Sequence, residues 1–164
     1  MMGYIISLMK RGFLIVLLSL ILASSSYSQE YKTSMGIRAG LPIGLTLKHF
    51  LNRDYALEGM LATRWGGITL AGFLEKEHRV KNHHGLYWFW GGGIHSGIWD
   101  AGYNPRLKAG YTGPVFGIDG IIGLEYTLDY HPLNFSFDLY PSLNLIGSAG
   151  WGGINGAVSV RYVF

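Results

Sequence analysis

Between residues 133 and 145 apolar and polar side chains alternate without a break, and this feature constrains the fold more than any other. Successive side chains of a β-strand point to opposite faces of a sheet, so the segment predicts a strand with one apolar face and one polar face. A helix would instead repeat its apolar residues at spacings of three and four. The two sets are Leu133, Phe135, Phe137, Leu139, Pro141, Leu143 and Leu145, and Asn134, Ser136, Asp138, Tyr140, Ser142 and Asn144.

The chain is apolar overall, yet beyond residue 23 it has no apolar stretch long enough for a spanning helix, which needs about 20 residues. Its mean hydropathy is +0.22, and aromatic residues (15%) are as frequent as charged ones (14%). Membranes accept only helices and closed barrels as spanning structures. An apolar chain without apolar helices therefore predicts alternating strands that close into a barrel.

Strand-like segments recur along the chain between Gly, Asn, Asp and Pro turn signals. We predict about eight of them, of lengths close to the roughly 9 to 11 residues of a tilted membrane strand. The predicted fold class is all-β, a closed antiparallel up-and-down transmembrane β-barrel. The predicted bounds are Ser34–Leu41, Ile43–Leu51, Tyr55–Trp65, Ile68–Lys76, Gly85–Trp99, Val115–Leu128, Leu133–Leu145 and Gly153–Phe164.

When the alternation is carried through all eight segments, the charged residues collect on one face. A basic residue on the lipid face near the midplane costs roughly 2–4 kcal/mol, which makes a shifted register prohibitive. An eight-stranded barrel is just wide enough to be filled by its own side chains. We therefore predict a packed interior polar network rather than a pore. Its members are Arg38, Lys48, Glu58, Arg64, Glu75, His95, Asp119, Glu125, Asp138 and Arg161.

The first 28 residues have the pattern of a secretory signal peptide. Lys10 and Arg11 form a positive segment, residues 13–23 are apolar apart from one serine, and residues 24–28 supply a small-residue cleavage pattern. The predicted organisation is a signal peptide over residues 1–28 and an outer-membrane barrel domain over residues 29–164. Met1 and Met9 both remain possible start residues.

Charge and cysteine content exclude several classes of protein. The chain has no cysteine, so an exported domain of this sequence has no disulfide framework. Its formal net charge of +3 includes Lys10 and Arg11, and without them 11 basic residues face 10 acidic ones. These charges are spread along the chain rather than clustered, which argues against nucleic acid as a partner.

Connection lengths and aromatic positions predict how the barrel is oriented. External loops are normally longer than periplasmic turns, and the longest connection, residues 100–114, follows the fifth predicted strand. The short link at Pro42 and the long stretch 77–84 do not fit this rule. Aromatic residues at the strand ends predict two interfacial belts. One belt comprises Tyr55, Trp88, Tyr126, Tyr162 and Phe164, and the other Trp65, Trp99, Phe116 and Trp151.

The final residues, Val160-Arg161-Tyr162-Val163-Phe164, resemble the assembly signal of outer-membrane barrels, with Val160, Tyr162 and Phe164 as its alternating apolar positions. The whole chain beyond residue 28 resembles the small eight-stranded outer-membrane proteins of the OmpA-domain, OmpX and OmpW type. Residues 44–50 and 117–126 are similar to barrels of this broad class. The resemblance implies the outer membrane of a Gram-negative bacterium.

The same resemblance implies particular partners. They are outer-membrane lipid and lipopolysaccharide, together with the insertion machinery during assembly, and the barrel is expected to be a monomer. The resemblance brings no catalytic motif, and no cofactor is expected. One cluster, His78, His83 and His84 beside Glu75 and Glu77, has metal-ligating residue types, but a solvated turn without cysteine is the favoured interpretation.

We predict a structural or surface-interaction role without catalysis. Loops carry function more often than scaffolds do, so the candidate external contacts lie in the long loop, namely Tyr103, Arg106, Lys108 and Tyr111. One alternative is a narrow conduit for small molecules. A second alternative is a lipid-modifying enzyme, but its obvious pair, His95 and Ser96, is adjacent on a strand and faces opposite sides.

Overall fold

The computed structural model describes residues 32–64, 67–100, 112–147 and 149–164, with the side chain of Arg64 left out. Each strand pairs antiparallel with the next, and the last pairs with the first, so the sheet closes. The predicted closed barrel is confirmed. Its strands are β1 (Thr33–Leu41), β2 (Ile43–Phe50), β3 (Tyr55–Arg64), β4 (Gly67–Arg79), β5 (Leu86–Trp99), β6 (Gly113–Thr127), β7 (Leu133–Ile146) and β8 (Gly150–Val163).

The seam between β1 and β8 closes the wall. It runs from the pair Ser34 and Val163 to the pair Leu41 and Gly156. We call the end of the barrel where β1 begins and β8 ends the inner end, and the opposite end the outer end. The turns between β2 and β3, β4 and β5, and β6 and β7 all lie at the inner end.

Hydrogen bonds to the side chain of Asn52 stabilise the turn between β2 and β3. The side chain of Asn52 accepts hydrogen bonds from the backbone N–H groups of Asp54 (2.9 Å) and Tyr55 (3.0 Å). Such a side-chain bond mimics a backbone turn. The backbone N–H of Leu51 donates to the carbonyl of Tyr55 at 2.9 Å and closes the hairpin.

The fourth strand is longer than predicted. The predicted bound is Lys76, but the strand continues to Arg79. Alternation persists through this segment, since Glu75 and Glu77 both point inward. The connection shrinks to residues 80–85, which removes most of the misfit of a long inner-end turn.

The two faces of the wall differ in chemistry along its whole circumference. From Asn134 to Asn144 the inward positions of β7 are at most 5% exposed and, apart from Tyr140, polar, whereas its outward Phe137 is 50% exposed. The same division holds on the other strands, as the outward Ile37 (63%) on β1 and Leu70 (61%) on β4 illustrate. Among the described residues there is no helix of the length and hydropathy that a membrane crossing requires.

One residue of the predicted aromatic belts lies on the wrong face. Trp99 is 5% exposed, and its indole N–H donates to Thr69 Oγ1 at 2.9 Å inside the barrel. The belt prediction was wrong here because it considered the position of Trp99 at a strand end and ignored the face that alternation assigns to it. Trp65 lies outside the described residues. The other seven are exposed by 37–63%, namely Tyr55, Trp88, Phe116, Tyr126, Trp151, Tyr162 and Phe164.

Candidate functional site

The inner half of the lumen is organised around one lysine. Lys48 of β2 extends into the interior, where its Nζ lies 2.9 Å from Glu75 Oε2 of β4 and 2.8 Å from Glu125 Oε2 of β6. It also donates a hydrogen bond to Glu77. Because β2 and β6 face each other across the barrel, these contacts tie opposite walls together. The ammonium lies 4.4 Å from the ring centroid of Phe89, a cation–π contact.

A second basic centre lies beside the first. Arg161 Nη2 of β8 donates to Glu58 Oε1 of β3 at 2.8 Å, and Arg161 Nη1 lies 3.9 Å from Glu125 Oε2. Glu125 therefore joins the Lys48 and Arg161 groups into one network. The remaining guanidinium contacts are to neutral side chains, namely Thr46, Asn134 and Ser136.

Arg38 of β1 forms the third basic centre. Its guanidinium binds both carboxylate oxygens of Asp138 on β7, with Nη1 2.8 Å from Oδ2. Two parallel bonds of this kind fix the orientation of both groups. Arg38 Nη1 lies 4.0 Å from Glu58 Oε1, so this pair borders the same network, and the guanidinium carbon lies 5.2 Å from the ring centroid of Tyr140.

An apolar layer fills the middle of the lumen. The ring of Phe73 on β4 meets that of Tyr140 on β7 edge to face, with centroids 5.8 Å apart. On β6 the buried Ile121 lies between Asp119 and Glu125 along the inward face. The layer separates the charged network from the polar groups near the outer end. Its members are Met60, Ala62, Ala71, Phe73, Phe89, Ile121 and Tyr140.

A smaller polar cluster lies beyond this layer. His95 Nδ1 of β5 is 2.8 Å from Asp119 Oδ2 of β6, and His95 Nε2 is 3.1 Å from Asn144 Oδ1 of β7. The imidazole stacks on the indole of Trp99, with centroids 6.0 Å apart and an interplanar angle of 8°. Both ring nitrogens are thus engaged, and the histidine is 4% exposed.

The structure places the predicted network residues in two separate groups. Nine of the ten have described side chains, and each of the nine is at most 7% exposed. Seven of them form the inner-half network, whereas His95 and Asp119 belong to the outer cluster. The side chain of the tenth, Arg64, is not described.

Sequence reasoning missed Glu77, which is 3% exposed and bonded to Lys48. The signal that could have identified it is its spacing of two residues from Glu75, which continues the inward alternation. The same alternation places the acidic residues of the possible metal cluster and His78 on opposite faces of β4. Glu75 and Glu77 point into the lumen, while His78 stacks on Trp88 outside it, with centroids 4.4 Å apart. Within the described ranges no group of three or more His, Asp or Glu side chains could hold a metal ion.

The residues considered for hydrolytic chemistry lie on different surfaces. His95 points into the lumen, whereas the neighbouring Ser96 is exposed on the outer face of β5. The two side chains therefore cannot act on each other.

No protein-family model matches the chain, and no curated protein matches it either. Among solved structures, a similar fold is found in the Yersinia pestis outer membrane protein Ail, whose backbone structure was determined in a phospholipid bilayer nanodisc. The alignment covers 82% of this chain and 100% of that chain, at 12% sequence identity and a TM-score of 0.46.

Proposed function

We propose that the chain is an outer-membrane β-barrel of a Gram-negative bacterium with a structural or surface-interaction role and no catalysis. The observation that supports this proposal is the outward face of the wall. It presents large apolar side chains on every strand, while the described acidic and basic side chains of the strands, apart from Lys76 and the strand-end Arg79, lie inside. Monomeric soluble proteins rarely expose continuous apolar surface of this extent. Lipid acyl chains would cover this apolar surface. The closed sheet also suits a membrane, because no strand edge is left with unpaired backbone groups.

The packed lumen supports a closed barrel rather than a conduit. Phe73 and Tyr140 meet across its middle, and the Lys48 and Arg161 groups fill the inner half with ion pairs. A solute would have to displace both layers to cross. We therefore expect reconstituted protein to give neither conductance nor solute flux in swelling liposomes, and a steady single-channel current would contradict this part of the proposal.

Membrane fractionation with heat-modifiable gel mobility tests the location directly. The folded protein should need detergent for extraction and should change mobility on boiling. A protein that stays in solution without detergent, with no change in mobility, would overturn the proposal.

Phe137→Arg sharpens this test because it changes the outward face at mid-strand. In lipid the substitution should lower the free energy of unfolding by about 2–4 kcal/mol. The matched control is Tyr130→Arg in the inner-end turn, where the native side chain is 94% exposed and a change within about 0.5 kcal/mol is expected. Equal effects of the two substitutions would indicate that water, not lipid, surrounds the wall.

The remaining parts of the proposal concern export, assembly and contact. The signal peptide over residues 1–28 lies outside the described residues, and amino-terminal sequencing of the exported protein tests cleavage after Ser28. Outer-membrane lipid, lipopolysaccharide and the insertion machinery are the proposed partners of a monomeric barrel. Surface interaction is assigned to the long outer-end loop, whose Tyr103, Arg106, Lys108 and Tyr111 also lie outside the described residues.

A lipid-modifying activity is the alternative that we disfavour. The opposite orientations of His95 and Ser96 support its exclusion. Purified protein should therefore release no fatty acid from outer-membrane lipid. Hydrolysis that is lost in both Ser96→Ala and His95→Ala would restore the alternative.

A further inference from the structure

One charged residue breaks the apolar pattern of the outer face. Away from the strand ends, the other described Lys, Arg, Asp and Glu side chains of the eight strands point into the lumen, but Lys76 of β4 points outward. It shares this face with the exposed Leu70 and Leu74. A lysine facing lipid is costly at the midplane and cheap only near an interface. Lys76 pairs in register with Tyr55, the first residue of β3, so it lies close to the inner end.

Aromatic side chains surround this lysine on the outer face. Its Nζ lies 5.6 Å from the ring centroid of Tyr55, and its partner in register on β5 is Trp90. The indole N–H of Trp90 donates to His78 Nε2 at 3.3 Å, and His78 stacks on Trp88. We call Tyr55, Lys76, His78, Trp88 and Trp90 the rim patch.

More positive charge follows Lys76 along the chain, at the inner end of the barrel. Arg79 ends β4, and its Nη2 lies 3.2 Å from His84 Nδ1, while Lys81 is exposed in the following turn. The described exposed acidic side chains at this end are Asp54 and Asp129, in the two other inner-end turns. The lysine and arginine side chains of the region are Lys76, Arg79 and Lys81, with Arg53 exposed in the neighbouring turn between β2 and β3.

We propose that the rim patch, together with Arg79 and Lys81, binds the phosphate of an anionic phospholipid in the leaflet at the inner end. This inference rests on the proposed membrane location. A lysine can lay its apolar stem along the wall and place its ammonium at headgroup depth. Tryptophan and tyrosine rings favour the same depth. The rings would contact the lipid where its headgroup meets its acyl chains. The three cations would provide the positive charge that binds the phosphate.

The test measures lipid retention by native mass spectrometry of the folded barrel released from detergent that contains equimolar phosphatidylglycerol and phosphatidylcholine. The native protein should retain phosphatidylglycerol preferentially. Lys76→Met should lower that preference about five-fold, the ratio that corresponds to about 1 kcal/mol for one lysine at an anionic surface. The matched control is Lys32→Gln, which removes one exposed positive charge at the same end, beside β1 and three strands away from β4.

The outcomes separate this site from general electrostatics and from the barrel itself. An equal loss of preference in Lys32→Gln would overturn the proposal in favour of diffuse attraction to the basic rim. A native protein without preference for phosphatidylglycerol over phosphatidylcholine would also overturn it. Heat-modifiable mobility of the same samples shows whether each variant is folded, so failure of the site can be distinguished from failure of the membrane proposal.

Discussion

The inner and outer halves of the lumen solve the same problem in different ways. Both accommodate buried polar groups, yet the inner half uses three cations and five carboxylates, whereas the described part of the outer half relies on His95, Asp119 and neutral side chains. In the inner half Lys48 serves three carboxylates from two strands. In the outer half each nitrogen of His95 has one partner.

The two halves should therefore differ in how much stability is lost when a single polar residue is substituted. Removing one member of a buried ion-pair network leaves uncompensated charges in a medium of low dielectric constant, which costs much more than losing a neutral hydrogen bond. The inner half should therefore depend strongly on individual residues, and the outer half should tolerate substitution. The apolar layer around Phe73 and Tyr140 keeps the two halves apart, so effects in one should add to effects in the other.

The largest expected effect is that of Lys48→Met. The substitution keeps an unbranched side chain one heavy atom shorter but leaves Glu75, Glu77 and Glu125 without their shared cation, so the free energy of unfolding should fall by about 3–5 kcal/mol. Urea unfolding in lipid vesicles, followed by gel mobility, measures the change. Lys32→Met, at an exposed position just before β1, is the control and should change it by less than about 0.5 kcal/mol. A loss below about 1 kcal/mol for Lys48→Met would mean that the network is not the main support of the inner half.

Asp138→Asn should have an intermediate effect. It neutralises the carboxylate that binds Arg38 through both oxygens and leaves the guanidinium with Glu58 at 4.0 Å. We expect a loss of about 1.5–3 kcal/mol, typical of hydrogen bonds to charged groups. Arg38→Met should be no better tolerated, and the double variant should lose less than the sum of the single losses because the two residues form one pair. Strict additivity would show that they do not interact.

His95→Phe should have the smallest effect of the three. The phenyl ring retains the stacking on Trp99 but leaves Asp119 and Asn144 without the imidazole, at an expected cost of about 1–3 kcal/mol. Combined with Asp138→Asn, it should give an additive loss, because the apolar layer lies between the two sites. Ser96→Ala on the outer face is the control and should be nearly neutral. If His95→Phe lowered the free energy of unfolding as much as Lys48→Met, the inner half would not depend more strongly on single residues than the outer half.

The fold was predictable from the sequence because it follows from a period of two. In β7 the alternation from Leu133 to Leu145 determines both the strand and its faces, and a one-residue slip would move Asp138 from the lumen to the outer face of the wall. Two residues were placed wrongly because the alternation of faces was not followed to the ends of the strands. Glu77 was assigned to a turn, and Trp99 was placed in a belt although it shares a face with His95.

The partners within the lumen were not predictable in the same way. Alternation places Lys48, Glu75 and Glu125 on one face but does not say which of them meet. Lys48 reaches across the lumen to β6, and this contact depends on the relative stagger of eight strands. Stagger is a property of the closed sheet, and no segment of the sequence encodes it locally.

The seam between β1 and β8 joins the residues of the barrel that are synthesised first to those synthesised last. Until Gly156 to Val163 have been made, the N–H and C=O groups along one side of β1 have no neighbour within the same chain. An uncovered strand edge of this kind readily pairs with another polypeptide. The wall therefore cannot close without the last strand, and a chain that stops short of β8 is left with two open edges instead of none.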